Sequence, residues 1–295
     1  MNSLFERSSS CWVKYSQYEL RAAADGTRYI TPVRRAKPVI YDILKDAEAE
    51  TLVVDALNVG LAQMGKANEK VVNAALMNFV HKYGLLGFMT ALPTTSHFMK
   101  YDSVYLPKNL FIKDEVMKTE DYVAQFFPFE RHTFRAGFGI ELDPAMMALA
   151  AAFGDVPTAM NMSLQWEYAE RYDWLLTQFK DWAFTFANSM IYYADYDGLN
   201  EITRSLLRKS MEAFGGIAPT YRIALLDKPT IVWDFHSLLR GVQMMFSFML
   251  TDETNPLRTC RHCTKAFNAT HPKVAFCSPR CKNQYNVYKS RAKKE

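Results

Sequence analysis

Four cysteines near one end of this 295-residue chain have types and spacing suited to chemistry: Cys260-x2-Cys263-x13-Cys277-x3-Cys281. Two intervening residues let a tight knuckle present both sulfurs of the first pair to one ion. Three intervening residues put Cys277 and Cys281 on one face of a helix, because residues four apart stack there. Ser278 stands where a helix N-cap belongs, and Pro279 follows where a missing N–H costs nothing. Four thiolates in a tetrahedron suit Zn²⁺ and leave no open coordination position, so the spacing predicts one structural zinc rather than a catalytic one. Iron at a four-cysteine site is the chemical rival. The fifth cysteine, Cys11, lies far away in sequence, and clustered thiols without an export signal read as metal ligands rather than disulfides.

Charge separates the same segment from the rest. Residues 258–295 hold ten Lys or Arg against the single acid Glu295, a balance of +9, while the first 257 residues carry 25 basic and 30 acidic residues, or −5. Such asymmetry points the basic end at a polyanion, most often nucleic acid. On the expected helix, Cys277, Cys281, Tyr285 and Tyr288 recur toward the metal, and Lys282, Asn286, Lys289 and Lys293 recur on another face. Arg280, Asn283, Gln284 and Arg291 widen that face. Its cations suit phosphate oxygens, and Asn286 suits a base edge. The predicted nucleic-acid contacts are therefore Arg280, Lys282, Asn283, Asn286, Lys289, Arg291 and Lys293, with DNA the expected partner.

These residues also carry a resemblance. The runs Cys260-Arg-His-Cys263-Thr-Lys-Ala-Phe267 and Phe276-Cys277-Ser278-Pro-Arg-Cys281-Lys-Asn283-Gln resemble the CGNR-type zinc fingers at the C-terminus of bacterial proteins regarded as transcription regulators. Cys281-Lys282-Asn283-Gln284 keeps the Cys and Asn of the C-G-N-R motif but not its Gly and Arg. Upstream, Val54-Asp55-Ala-Leu-Asn58-Val retains the Asp and Asn spacing of that family's L-D-F-x-N-T-like run. The resemblance implies a treble-clef finger and a DNA-binding regulator. Related bacterial treble clefts with an F-C-S-x-x-C signature include small proteins that bind DNA gyrase, which implies a protein partner as the alternative. A nuclease of the HNH kind shares the treble clef, and His271 lies in the expected hairpin. The Asp-His pair and the helix histidine that such enzymes use are lacking, so no enzymatic activity is expected.

The elements that must position the site read less sharply. Hydrophobic residues make up 49% of the chain and charged residues 22%, ample for a buried core. Cys11 to Val33 reads as a small sheet turning at Asp25-Gly26. Pro38 to Leu44, Thr51 to Met64 and Glu69 to Tyr83 read as helices, and residues 85 to 138 as irregular. Asp143-Pro144 opens an expected helix to about Phe153. Ser163 to Tyr193 carries an aromatic stripe at helical spacing, Asn200 to Phe214 forms the next helix, and Asp197-Gly198 separates the two. Tyr221 to Leu226 and Thr230 to Trp233 read as a hairpin, and Phe235 to Leu250 as helix. Within the cysteine segment, Thr264 to Phe267 and Val274 to Phe276 are expected to pair across a turn at Asn268 to Lys273.

The expected fold is thus α+β: a mostly helical body (1–255) with a small N-terminal sheet, then a four-cysteine treble clef (256–295). The aromatic stripe offers the body a core, and also a face for an effector or a second copy. His81, His97, His132 and His236 are scattered singly and form no ligand motif. The longest apolar stretches fall short of the ~20 residues of a membrane span, so a cytoplasmic location is expected.

Overall fold

The computed structural model describes residues 8–9, 11–43, 49–95, 98–129, 167–195, 197–212, 220–225 and 227–292. The expected helix at 143–153, together with His97, His132 and Lys293, lies outside them. Helix and sheet are mixed, in keeping with an α+β chain. By contacts the chain divides into two units. The first comprises Met1–Ala49, Met77–Thr177 and Ala218–Gly241; the second comprises Glu50–Leu76, Gln178–Ile217 and Val242–Glu295.

The first unit is built from short ladders, antiparallel except for Ser8–Ser9 on Pro229–Asp234. Strands β1 (Ser8–Ser9), β2 (Cys11–Tyr15), β3 (Tyr18–Ala22), β4 (Arg28–Pro32) and β5 (Pro38–Asp42) open the chain. Gly26 takes φ +83° in the β3–β4 turn, where the Thr27 N–H donates to Asp25 Oδ1 at 2.9 Å. The helix expected at Pro38 to Leu44 is instead strand β5, which pairs with β2 in the register Trp12↔Tyr41. Its β-branched Val39 and Ile40 favour a pleated surface, and a seven-residue helix would have had too little apolar face to bury.

Beyond the helix α1 (Ala49–Met64) and the helix α2 (Glu69–Tyr83), residues 85–129 form only small pieces: α3 (Phe88–Ala91), a 3₁₀ turn, the hairpin of β6 (Ser103–Tyr105) with β7 (Val116–Lys118), and α4 (Thr119–Ala124). Strand β8 (Glu170–Arg171) then pairs with β4. The predicted start of the long helix at Ser163 therefore moves: α5 is Tyr172–Asp195. Helix α6 (Glu201–Glu212), strands β9 (Thr220–Leu225) and β10 (Pro229–Asp234), and α7 (Leu238–Leu250) follow. The β9–β10 hairpin forms where the sequence predicts it, and β1 joins β10 in parallel.

Aromatic side chains fill the core of the first unit, with Trp12, Tyr15, Tyr83, Phe88, Phe98, Tyr122, Phe126 and Tyr168 buried. Trp12 Nε1 donates to the Leu85 carbonyl at 2.8 Å, and the Tyr41 hydroxyl donates to the Tyr83 carbonyl at 2.7 Å. In the second unit, α1 and the C-terminal part of α5 meet at a glycine. A Cβ on Gly60 would stand 2.0 Å from the Phe179 carbonyl oxygen and 2.7 Å from Ala183 Cβ. The α5 stripe is core: Phe179, Trp182 and Phe186 are buried. Among the described residues, no helix is long and apolar enough to cross a membrane.

Candidate metal centre

The site begins with a short hairpin. Strand β11 (Leu257–Thr259) pairs antiparallel with β12 (Ala266–Asn268), and the first cysteine pair occupies the turn between them. The Cys260 N–H donates to the Lys265 carbonyl at 2.9 Å, the Thr264 N–H returns to the Cys260 carbonyl at 2.9 Å, and Thr264 accepts a left-handed φ of +58°. This pairing differs from the expected one. Val274 to Phe276 forms no ladder; the Ala275 carbonyl accepts the Arg261 N–H at 3.0 Å, and the Val274 N–H donates to the His271 carbonyl at 3.0 Å within the turn. Strand β11 is three residues long and precedes the first cysteine, and its sequence, Leu-Arg-Thr, carries no alternation long enough to read.

The second cysteine pair rides on helix α8 (Pro279–Ala292). Ser278 caps it: its Oγ accepts the Cys281 N–H at 3.2 Å, and its carbonyl accepts the Lys282 N–H at 3.2 Å. Pro279 takes the first helical position, as the sequence predicts. Two ring contacts hold the helix to the knuckle side. Phe276 and Tyr285 lie 5.2 Å apart, and His262 stacks on Tyr288 at 5.7 Å with an interplanar angle of 17°.

Hairpin and helix bring all four sulfurs within 4.8 Å of one another. Cys263 and Cys277 are 3.7 Å apart, Cys277 and Cys281 3.5 Å. These separations are far longer than a disulfide bond of about 2.05 Å, and they suit four ligands around one ion. Among the described residues, this is the group of His, Cys, Asp and Glu side chains close enough to hold a metal. The thiols are electrostatically unequal. Burial raises the Cys260 thiol, but N–H groups of Cys263, Cys277 and His262 outweigh it and hold that thiol at about 6. Desolvation and the adjoining thiols of Cys281, Cys260 and Cys263 push Cys277 up to about 12. Four negative sulfurs this close repel one another, and a cation among them removes that cost.

The hairpin side of this segment is inward and the helix side outward. Leu257, Cys260, Ala266 and Ala269 are buried, whereas α8 has no buried residue. Arg280, Lys282, Asn283, Asn286, Lys289 and Arg291 are all exposed. The hairpin is tied down by a residue from α1. Asn58 Oδ1 accepts the Ala266 N–H at 2.8 Å, and Asn58 Nδ2 donates to the Ala266 carbonyl at 3.1 Å. The β11–β12 ladder leaves that N–H and C=O pointing away from β11, so the primary amide completes the outer edge of β12 as a neighbouring strand would. In the sequence Asn58 stood out only through its spacing from Asp55; the fold turns that spacing into a tether 208 residues long.

Among the described residues, no histidine joins the cluster. His271 Nδ1 accepts the Lys273 N–H at 3.1 Å inside the turn. His81 Nδ1 lies 2.7 Å from the Met77 carbonyl, and its Nε2 accepts the Tyr18 N–H at 3.4 Å. A second chemically dense place, Glu170, escaped sequence reasoning. Its fully buried carboxylate accepts the N–H groups of Leu86, Gly87 and Phe88 at 2.8, 2.6 and 2.9 Å and the Tyr168 hydroxyl at 2.6 Å. Burial pushes this carboxyl above its ordinary range against the pull of those four donors. With both oxygens occupied, Glu170 pins the bend before α3 rather than offering an acid or base to a ligand.

Fold and site together define a mixed helix-and-sheet protein carrying a four-cysteine metal-binding cluster. Comparison takes the assignment no further: no protein-family model, no curated protein and no solved structure matches the chain.

Proposed function

We propose that this chain is a zinc-binding, DNA-contacting regulator whose C-terminal treble clef presents helix α8 to the phosphate backbone. The observation that carries this reading is the polarity of the cysteine segment. Its hairpin side is buried and tethered by Asn58, while the cationic residues of α8 are left open to solvent. A face packed on protein could not reach a phosphate; this one can. Zinc fits the cluster: Zn–S bonds of about 2.3 Å in a tetrahedron put sulfurs about 3.8 Å apart, close to the 3.5 and 3.7 Å found. In this reading the ion fixes α8 relative to the knuckle and takes no part in chemistry. The CGNR-type resemblance of the same segment supports it.

Binding of duplex DNA measured against salt tests the proposal. Neutralising six phosphates releases counterions, so affinity should fall roughly 10³-fold or more between 50 and 200 mM salt. Replacing Lys282, Lys289 and Lys293 together with alanine should weaken binding and flatten the salt slope by about one unit per lost contact, with zinc content unchanged. Failure to bind DNA or RNA at low salt, or a triple variant that binds like the parent, rejects the reading.

The second reading is a protein-interaction finger. It is favoured by an apolar side chain on α8 that a purely electrostatic surface does not need, Val287 at 48% exposure. Val287→Ala should then weaken capture of a protein partner while leaving DNA affinity unchanged.

A further inference from the structure

The first unit carries an apolar surface of its own, on the β9–β10 hairpin. Residues directly opposite one another in that register share a face, and alternate pairs share the same one. The pairs Tyr221↔Trp233, Ile223↔Ile231 and Leu225↔Pro229 therefore lie on one side of the hairpin. Tyr221 is 64% exposed, Ile223 73%, Leu225 81% and Ile231 53%. Between them, on β10, Val232 is buried on the opposite side. An antiparallel sheet with one face on the core ordinarily turns polar residues outward. Here all six outward positions are apolar, and Tyr221 and Trp233 meet edge-to-face at 5.6 Å. A contiguous apolar patch of this kind marks an interaction surface.

We propose that the hairpin face is a self-association surface, stacked on the same face of a second copy of this chain about a two-fold axis. Three features select that occupant. None of the six residues is charged, so the face carries no electrostatic mark for nucleic acid or a charged peptide. A two-fold axis places each patch against an identical one, and an uncharged apolar patch is complementary to itself. The area also fits. If each of the four most exposed side chains contributes roughly 100–150 Å², each copy offers about 500 Å², and the pair about 1,000 Å², the lower limit for a specific interface. Two sheet faces packed about 10 Å apart interdigitate such side chains. The dimer is therefore weak, with dissociation in the micromolar range, and it is independent of what α8 contacts.

Analytical ultracentrifugation of the full, metal-loaded chain from about 1 to 200 µM tests this. The parent should shift from monomer to dimer across that range. Ile223→Lys and Leu225→Lys, made separately, should each weaken association roughly a hundredfold or more by setting like charges against each other across the axis, with circular dichroism and metal content unchanged. Each variant decides the matter alone, so misfolding of one leaves the other informative. Ile202→Lys, at a 74% exposed apolar position on α6, should leave association as it is. A parent that stays monomeric throughout, strand variants that dimerise like the parent, or an Ile202→Lys chain that loses association to the same degree overturns the proposal.

Discussion

Two side chains hold more of this structure together than their residue types announce. The Asn58 amide satisfies both backbone groups of Ala266 at once. Asn58→Ala leaves an edge N–H and C=O without protein partners, and a buried unsatisfied group costs about 1–3 kcal/mol. The variant should keep its metal yet show faster hydrogen exchange across β11–β12 and an unfolding free energy lower by about 1–3 kcal/mol. Unchanged exchange would mean that the tether is not what holds the hairpin. Glu170 makes a prediction with a pH sign. Its carboxyl is raised by burial in the fold, so the folded chain holds that proton more tightly than the unfolded chain does. The associated stability is fully present below the unfolded value of about 4.5 and is lost as pH rises through the folded value. In urea titrations from pH 4 upward, the margin between the parent and Glu170→Gln should be widest at the acid end and narrow as pH rises. A margin that widens instead would show that the four donors outweigh burial.

At the scale of elements, one close approach and one cap decide the geometry around the centre. Helices α1 and α5 pass so closely that a Cβ at Gly60 would stand 2.0 Å from the Phe179 carbonyl. Gly60→Ala must push the helices apart, and overpacking of this kind costs typically about 1–3 kcal/mol. Because α1 also carries Asn58, the variant should additionally loosen β12, seen as exchange in a hairpin that the mutation does not touch. Helix α8 depends on its cap. Ser278→Ala removes the acceptor of the Cys281 N–H and should lower stability by about 1 kcal/mol without changing metal stoichiometry. A larger effect, with loss of metal, would mean that the cap sets the position of Cys281 itself.

For the molecule as a whole, the metal and the fold should be separable. The core of each unit is mainly aromatic and aliphatic, with Cys260 the one cysteine buried in it, whereas α8 buries no residue and is held by two ring contacts and the four sulfurs. Elemental analysis of protein purified without added metal should find one zinc per chain; iron, or less than half an equivalent of any metal, would contradict the tetrahedral thiolate reading. Removing the metal with a chelator should melt the 14-residue α8 and leave the remaining helices intact. A cooperative collapse of the whole circular dichroism spectrum would instead make the centre a global staple.

The four-cysteine cluster was legible in sequence because its information is local: a knuckle, a cap and a helical repeat each occupy a few adjacent residues, and liganding geometry follows from spacing. The β3–β4 and β9–β10 hairpins and helices α1 and α2 were legible for the same reason, as turn chemistry and apolar period are written into neighbouring positions. Pro38 to Asp42 became a strand because Cys11–Tyr15 offered it a ladder, and β11 formed because β12 lay across the knuckle from it; neither partner can be inferred from the segment itself. Asn58 and Glu170 follow the same logic at longer range. An asparagine in a helix and a glutamate between tyrosines carry no mark of function in sequence. Only the tertiary structure, by setting unsatisfied backbone N–H groups opposite them across 208 and up to 84 residues of chain, gives one amide and one carboxylate their work.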